Sequence, residues 1–245
     1  VTSLRLRPLS ARSLVLSLLL GAHPAEIPVR TLVAVAEEHG VSGATLRVAL
    51  SRMVGAGDLV TQDASYRLSD RLLVRQERQD RELDPTTRPW DGAWHQVVVT
   101  TGGREAGRRQ ELRRELLDAR LAELREGVWL RPDNLTRPGW SAATRADTTT
   151  LLCHPEEDPS GLAARLWPLD AWQAQATRLL RALREASEPA TRITVAAAAV
   201  RHLRTDPLLP DEVLPTDWAG PALRAAYADY RAELAGLLGS SAGRS

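Results

Sequence analysis

One stretch limits what this chain can fold into: VSGATLRVALSRMVGAGDLVTQDASYRL, from Val41 to Leu68. Leu46, Leu50 and Met53 stand four and three apart, so a helix here buries a single stripe. The opposite side carries Ala44, Val48, Ser51 and Gly55, all small or short. Thr45 and Arg52 flank that side on one edge and Arg47 on the other. A helix packed all round has no need of such a face. Ser42 occupies an N-cap position, with Thr45 three residues on. DLVTQ and SYRLS then alternate on either side of Asp63-Ala64 and read as a β-hairpin. Two helical patterns come before: Ala11 to Gly21, and PVRTLVAVAEEHG, which opens at Pro28 and closes at Gly40. Helix, helix, turn, helix and hairpin predict a winged helix-turn-helix.

A helix with a small outer face can bring its backbone deep into the major groove. Arg, Ser and Thr at its edges then reach bases and phosphates. The candidate DNA contacts are therefore Ser42, Thr45, Arg47, Ser51 and Arg52. Gln62, Ser65 and Arg67 on the hairpin would meet flanking backbone or the minor groove. Blander readings stand beside this one. Arg47 borders the buried stripe and would equally hold the domain together through a carboxylate, and the whole unit would serve protein contact. Charge gives modest support. Residues 1–75 hold nine Arg against six acids, a balance of +3, within a chain whose formal net charge is only +1. That suits phosphate contact and is no basic tail. All 32 basic residues are Arg, which suits bidentate recognition, although compositional bias accounts for it as well, with Phe also missing.

The 245 residues allow two or three domains. A single cysteine, Cys153, excludes an internal disulfide framework and a Cys-based zinc site, and fits a reducing cytoplasm. Arg5, Arg7 and Arg12 precede the apolar run SLVLSLLLGA, which superficially resembles a signal peptide. It is broken by Ser17, flows on into amphipathic pattern, and is too short to span a bilayer. It reads as the first helix, with no membrane partner implied.

Past a linker-like RELDPTTRP, the pattern predicts a strand in WHQVVVT, a long helix from about Arg104 to Glu126, strands in GVWLRP and TTTLLCH, and GLAARLWPL as a short helix running into a fourth strand. That is the ferredoxin-like order. Trp90 and Trp94 read as core anchors. His95, His154, Glu156, Glu157 and Asp158 are the candidates for chemistry there. The last four share a loop with Pro155 and Pro159 and show no ligand-pair spacing, so a solvated loop explains them. No metal site, no Ser-His-Asp or Cys-His arrangement and no phosphate loop emerges. DAWQAQATRLLRALREA, ITVAAAAVRHLR and PALRAAYADYRAELAGLL are helical, joined by the Pro-rich TDPLLPDEVLPTDWAG. From Asp206 to Leu234 six acids oppose Arg224 and Arg231, so this end is expected to stay off DNA and to serve a dimer contact or a ligand pocket. The tail GSSAGRS is expected to be disordered. The fold class is α+β multidomain: a winged helix-turn-helix over 1–83, a ferredoxin-like middle domain over 84–169 and a helical C-terminal domain over 170–245.

The combination resembles the PaaX family of bacterial transcriptional regulators. The resemblance is carried in order by LRVALSRMVGAGDLV…YRLS, WDGAWHQVVV, LAARLWPLDAW and RTDPLLPDEVLPTDWAGPALRAAY. It implies a repressor of aromatic (phenylacetate) catabolism, binding palindromic operators as a homodimer and released by an aryl-CoA thioester, with no cofactor. Such an effector needs Arg near its phosphates and an apolar slot. Arg165, Trp167, Arg201, His202 and Arg204 are candidates, each equally readable as structural. Two departures matter. ITVAAAAVRHLR is richer in Ala than the family leads one to expect, which bears on the ligand. The middle domain of the family resembles a CRISPR-associated nuclease that needs an Asp at the end of its first strand. Thr100-Thr101 stand there, so no nuclease activity is expected; the two alternatives that stay open are a winged-helix protein-interaction module and, against that missing Asp, a metal-dependent nuclease of the middle domain.

Overall fold

The computed structural model describes residues 6–103, 105–137 and 139–242. It mixes helices with two antiparallel sheets and forms two compact units. The first comprises Val1–Asp84, Ala174–Thr205 and Ala219–Ser245; the second comprises Pro85–Gln173 and Asp206–Trp218.

In the first unit, α1 (Ala11–Gly21) starts at Ser10, whose hydroxyl accepts from the Ser13 N–H at 3.2 Å. It buries Leu14, Val15, Leu18 and Leu19. The short strand β1 (Glu26–Pro28) follows; three residues are too few to show alternation, and the sequence reading does not contain it. Helix α2 (Val29–Glu38) ends through Gly40 at φ +69°, where the Val41 N–H donates to the Ala36 carbonyl at 2.8 Å. This left-handed closure needs a residue without Cβ. Helix α3 (Gly43–Gly55) leads into strands β2 (Leu59–Gln62) and β3 (Ser65–Leu68). The sheet runs β1-β3-β2, with Leu59 opposite Leu68 and Gln62 opposite Ser65. Asp63 and Ala64 make the connection at φ 43° and 61°, the geometry of a two-residue hairpin turn with both central residues left-handed.

Helix α4 (Asp70–Leu83) is a second element absent from the sequence reading, and the expected linker begins inside it. Its buried residues are Leu72, Gln76, Gln79 and Leu83. Half of that stripe is polar, which conceals it from a search for apolar spacing. Gln76 donates to the carbonyls of Leu19, Leu20 and Ala22 at 2.8–3.2 Å, satisfying the end of α1. The part of helix α8 (Leu169–Glu185) from Ala174 on, together with α9 (Pro189–Leu203) and α10 (Gly220–Ala242), completes the unit, α9 packing on α1, α4 and α10. Helix α10 continues into the tail expected to be disordered; the last three residues lie outside the described ones.

The second unit runs β4 (Trp94–Val99), α5 (Ala106–Asp118), β5 (Ala122–Arg125), β6 (Val128–Pro132), α6 (Ala142–Asp147), β7 (Thr148–Cys153) and α7 (Pro159–Leu166). The expected order holds, but cut from other segments. The long helix ends at Asp118 instead of reaching Glu126, and Arg104 lies outside the described residues. Arg120 turns the chain at φ 61°, the Leu121 N–H closes the helix on the Leu116 carbonyl at 3.1 Å, and β5 takes up what read as the last helical turn. Among the described residues no strand follows α7; α8 (Leu169–Glu185) begins after Trp167-Pro168. The second helix of the order is α6, capped by Ser141.

All pairings in the sheet β5-β6-β4-β7 are antiparallel. Successive side chains leave opposite faces, which yields two cores. Val97 joins Leu112, Leu116, Leu121 and Trp129; Trp94 joins Leu130, Leu162, Ala163 and Leu169. Trp94 is fully buried and meets Trp90 edge-on at 6.5 Å between centroids.

The Pro-rich connector is tied down by a buried cation. Arg131 donates to the carbonyls of Pro132 (2.9 Å), Ala119 (3.3 Å) and Leu208 (3.3 Å) and to Asn134 Oδ1 (2.9 Å). Asn134 donates to the same Leu208 carbonyl at 3.0 Å, and Asp206 accepts from the Leu208 N–H at 3.0 Å. Burial lowers the Arg131 pKa to about 9. No helix among the described residues is long and apolar enough to cross a membrane.

Candidate nucleic-acid interface

The interface is built from α3 outward. Ser42 caps it: its hydroxyl accepts from the Thr45 N–H at 3.2 Å and lies 2.9 Å from the Thr45 hydroxyl. The cap fixes where the helix starts and engages two of the proposed contact residues with each other. Leu46, Leu50 and Met53 are each 1% exposed and anchor the helix to the core. Thr45, Arg47, Val48, Ser51 and Arg52 are all exposed, so one face of α3 holds the proposed α3 contacts. Among the described residues Arg47 and Arg52 make no ion pair. Val48, at 52% exposure, adds an apolar patch between the two arginines.

The hairpin places Gln62 exposed and Ser65 half-buried, opposite one another next to the turn. Arg67 is half-buried and lies 3.9 Å from the exposed Asp70, a weak pairing that leaves its charge available.

The group that sets the angle of α3 against its neighbours is Asp58, which the sequence reading treats only as one more acid. Helix α3 closes through Gly57 at φ +70°, where the Asp58 N–H donates to the Met53 carbonyl at 2.9 Å. The Asp58 carboxylate, 7% exposed, then takes Arg12 of α1 at 2.8 Å and Arg71 of α4 at 2.5 Å. Its carbonyl accepts from the Ser69 N–H at 3.0 Å. The only signal in the sequence is an Asp directly after a helix-ending Gly, which many turns share.

The proposed effector residues are divided between the two units. Arg165 and Trp167 belong to the second unit; Arg201, His202 and Arg204 belong to the first. Arg165 is exposed and paired with Glu157. Trp167 packs against Trp94 at 6.4 Å between centroids, as a core residue does. Arg204 pairs with Glu82 of α4 at 2.6 Å. Arg201, one turn earlier on α9, is exposed and makes no ion pair among the described residues.

The remaining candidates are placed as follows. His95 is 2% exposed on β4, its ring 6.1 Å from Trp140, and its Nε2 has no hydrogen-bond partner. Burial first, then Arg137, pull its pKa down to about 4. Asp158 caps α7 through the Gly161 N–H at 2.7 Å, while His154 and Glu156 are exposed. Burial raises the Cys153 thiol, which points to the Trp94 carbonyl. Thr100 and Thr101 are exposed just past β4. Among the described residues no three His, Cys, Asp or Glu side chains gather as metal ligands.

Three family models match the chain. They are described as PaaX-like protein over residues 10–72, PaaX protein central Cas2-like domain over 87–152, and PaaX-like protein C-terminal domain over 167–238. No curated protein matches significantly. Among solved structures the chain is similar to an uncharacterized protein, Rv0674, from Mycobacterium tuberculosis. The two are 48% identical with a TM-score of 0.84, over 94% of this chain and 98% of that one. Three models in the family's own order span most of the sequence, and the chain belongs to the PaaX family.

Proposed function

We propose that the protein is a ligand-responsive DNA-binding transcriptional regulator. It acts as a repressor of an aromatic, phenylacetate-like catabolic operon and is released by an aryl-CoA thioester. In this reading α1 to α3 and the β2–β3 hairpin work as a winged helix-turn-helix, with α3 in the major groove and the hairpin as its wing. Family membership supports transcriptional regulation. The observation that supports DNA binding is the outer face of α3, where Arg47 and Arg52 stand exposed and, among the described residues, in no ion pair, beside Thr45, Val48 and Ser51. A guanidinium not engaged within its own protein is available for a phosphate or a guanine edge. A homodimer would present two such faces to a palindrome.

The test is a fluorescence-anisotropy titration of the protein with DNA from upstream of its own gene and with a shuffled control. It is run at two salt concentrations and repeated with phenylacetyl-CoA. Tight, selective, salt-sensitive binding that the thioester abolishes is the expected outcome. Selective binding that ignores the thioester would keep the regulator and discard this effector. No selectivity over a good spread of upstream fragments would discard the regulator.

A further inference from the structure

The outer face of α3 holds one side chain that polar recognition does not account for. Ala44, Val48, Ser51 and Gly55 follow one another at intervals of four, three and four, so they form one stripe along the helix. All four are exposed, on the side away from the buried Leu46, Leu50 and Met53. The stripe is bare at its end. A Cβ built on Gly55 meets nothing within 4 Å, and its backbone is helical. Neither packing nor conformation within the chain calls for glycine there, and glycine in a helix costs stability relative to alanine. A bare face of this kind admits something from outside close to the backbone. Val48 is the exception in the stripe, as its only apolar side chain larger than a methyl, and it is 52% exposed. A single exposed valine elsewhere would need no explanation. This one stands between Arg47, Ser51 and Arg52, at the centre of the face. Its branched Cβ lowers helix propensity and holds χ1 in one rotamer. It therefore serves the helix poorly and aims its two methyl groups in a fixed direction.

We propose that Val48 determines sequence specificity by reading the 5-methyl group of a thymine. The major-groove edges of the four base pairs carry donors, acceptors and one apolar group, the thymine methyl. Val48 against that methyl buries apolar surface on both sides and leaves no polar group unpaired. Against a guanine, adenine or cytosine edge the same side chain would strip water from a donor or acceptor and offer nothing in return. Attraction to thymine and a penalty on the other bases thus act together. The place of the thymine follows from helix geometry. Arg52 is four residues beyond Val48, about 6 Å along the axis, whereas base pairs are stacked roughly 3.4 Å apart. The thymine therefore lies within about two base pairs of the one that Arg52 contacts. The inference rests on the reading of α3 as a DNA-binding helix, and adds to it the residue and the chemical group that select one base.

The experiment is a set of anisotropy titrations of the full-length protein on the upstream fragment that it binds selectively. Each thymine of the bound site is replaced in turn by deoxyuridine, which removes the 5-methyl group and leaves every hydrogen-bonding group of the base in place. The same series is run on Val48→Ala. The expected result is a position in each half-site where uridine weakens binding by the parent about 4-fold, the scale of one buried methyl. At that position Val48→Ala should bind the thymine and uridine fragments equally, because the contact is already gone. Val48 is exposed and alanine is the better helix former, so the variant should keep its fold, which a thermal melt checks. Selective binding in which no uridine substitution costs the parent as much as about 2-fold would overturn the proposal. So would a uridine loss that persists undiminished in Val48→Ala, since the methyl would then be read by another group. The parent protein on unmodified DNA separates this failure from that of the underlying reading: if it prefers no upstream fragment over shuffled DNA, the DNA-binding reading of α3 falls, and the role of Val48 falls with it.

Discussion

Asp58 and His95 are both buried titratable side chains, and they have opposite consequences. The Asp58 carboxylate is surrounded by donors, whereas both its arginine partners are more than half exposed, at 59% and 68%. Water screens the two ion pairs from the outside, so their worth is nearer that of hydrogen bonds to a charged group than of a sealed salt bridge. Asp58→Asn is therefore expected to cost about 1–2 kcal/mol in urea unfolding, and to weaken operator binding through the placement of α3 without contacting DNA. A variant as stable as the parent would remove Asp58 from the architecture. Among the described residues His95 has no anionic partner within hydrogen-bond distance, and burial lowers its pKa from 6.5 to about 4. The unfolded chain thus binds the extra proton across that window. The stability from keeping His95 neutral is complete above pH 6.5 and is lost as pH falls towards 4. A shift of this size is worth about 3 kcal/mol. His95→Gln should flatten the pH dependence of unfolding between pH 6.5 and 4; an unchanged slope would place the titration elsewhere. Neither role was legible in the sequence, because both depend on what surrounds the side chain in three dimensions.

Among elements, those with a strong single period were legible. The Gly40 stop placed the end of α2, and the Ser42 cap with the stripe Leu46, Leu50 and Met53 placed the start and the buried face of α3, because each signal is local. Helix α4 was concealed because glutamines occupy its buried face, and they are there to satisfy the end of α1. The turn at Arg120 was concealed because Leu121 and Leu124 continue a helical spacing in sequence, although in the fold Leu121 is buried and Leu124 is 42% exposed. The hairpin holds a conflict that can be measured. Ala64 sits at φ 61°, a conformation that costs a residue with Cβ roughly 1–2 kcal/mol. Glycine removes that cost but loses more chain entropy on folding, so Ala64→Gly should stabilise by about 0.5–1 kcal/mol in thermal unfolding. Destabilisation would mean that the Ala64 methyl is packed. On DNA, α3 and the hairpin should separate. Arg52→Ala is expected to cost about 1–3 kcal/mol on the operator and to relax specificity at one base pair. Arg67→Ala should weaken operator and random DNA alike and reduce the salt slope by about one. Unchanged binding of both DNAs by the Arg52 variant would take that residue out of the interface.

At the scale of the molecule, the total charge is uninformative and its distribution carries the argument. A net charge of +1 would not hold a chain on DNA, yet residues 1–75 carry +3 while the segment from Asp206 to Leu234 carries −4. One chain holds one α3, and a single recognition helix reads only a few base pairs, too few to pick one operator from a genome against its non-specific sites. Two copies related by a two-fold axis double the contacts and impose the same symmetry on the DNA. The operator should therefore be a pseudo-palindrome, and hydroxyl-radical footprinting of the bound upstream fragment should show two equivalent protections. Their centres should lie about one helical turn apart, roughly 10–10.5 base pairs, or a multiple of it. Adding half a turn between them, about 5 base pairs, would rotate the second half-site to the far side of the duplex and should abolish cooperative protection. A single protected patch, or indifference to the insertion, would mean that the chain reads DNA as a monomer, and the homodimer would have to be given up while the α3 interface remained.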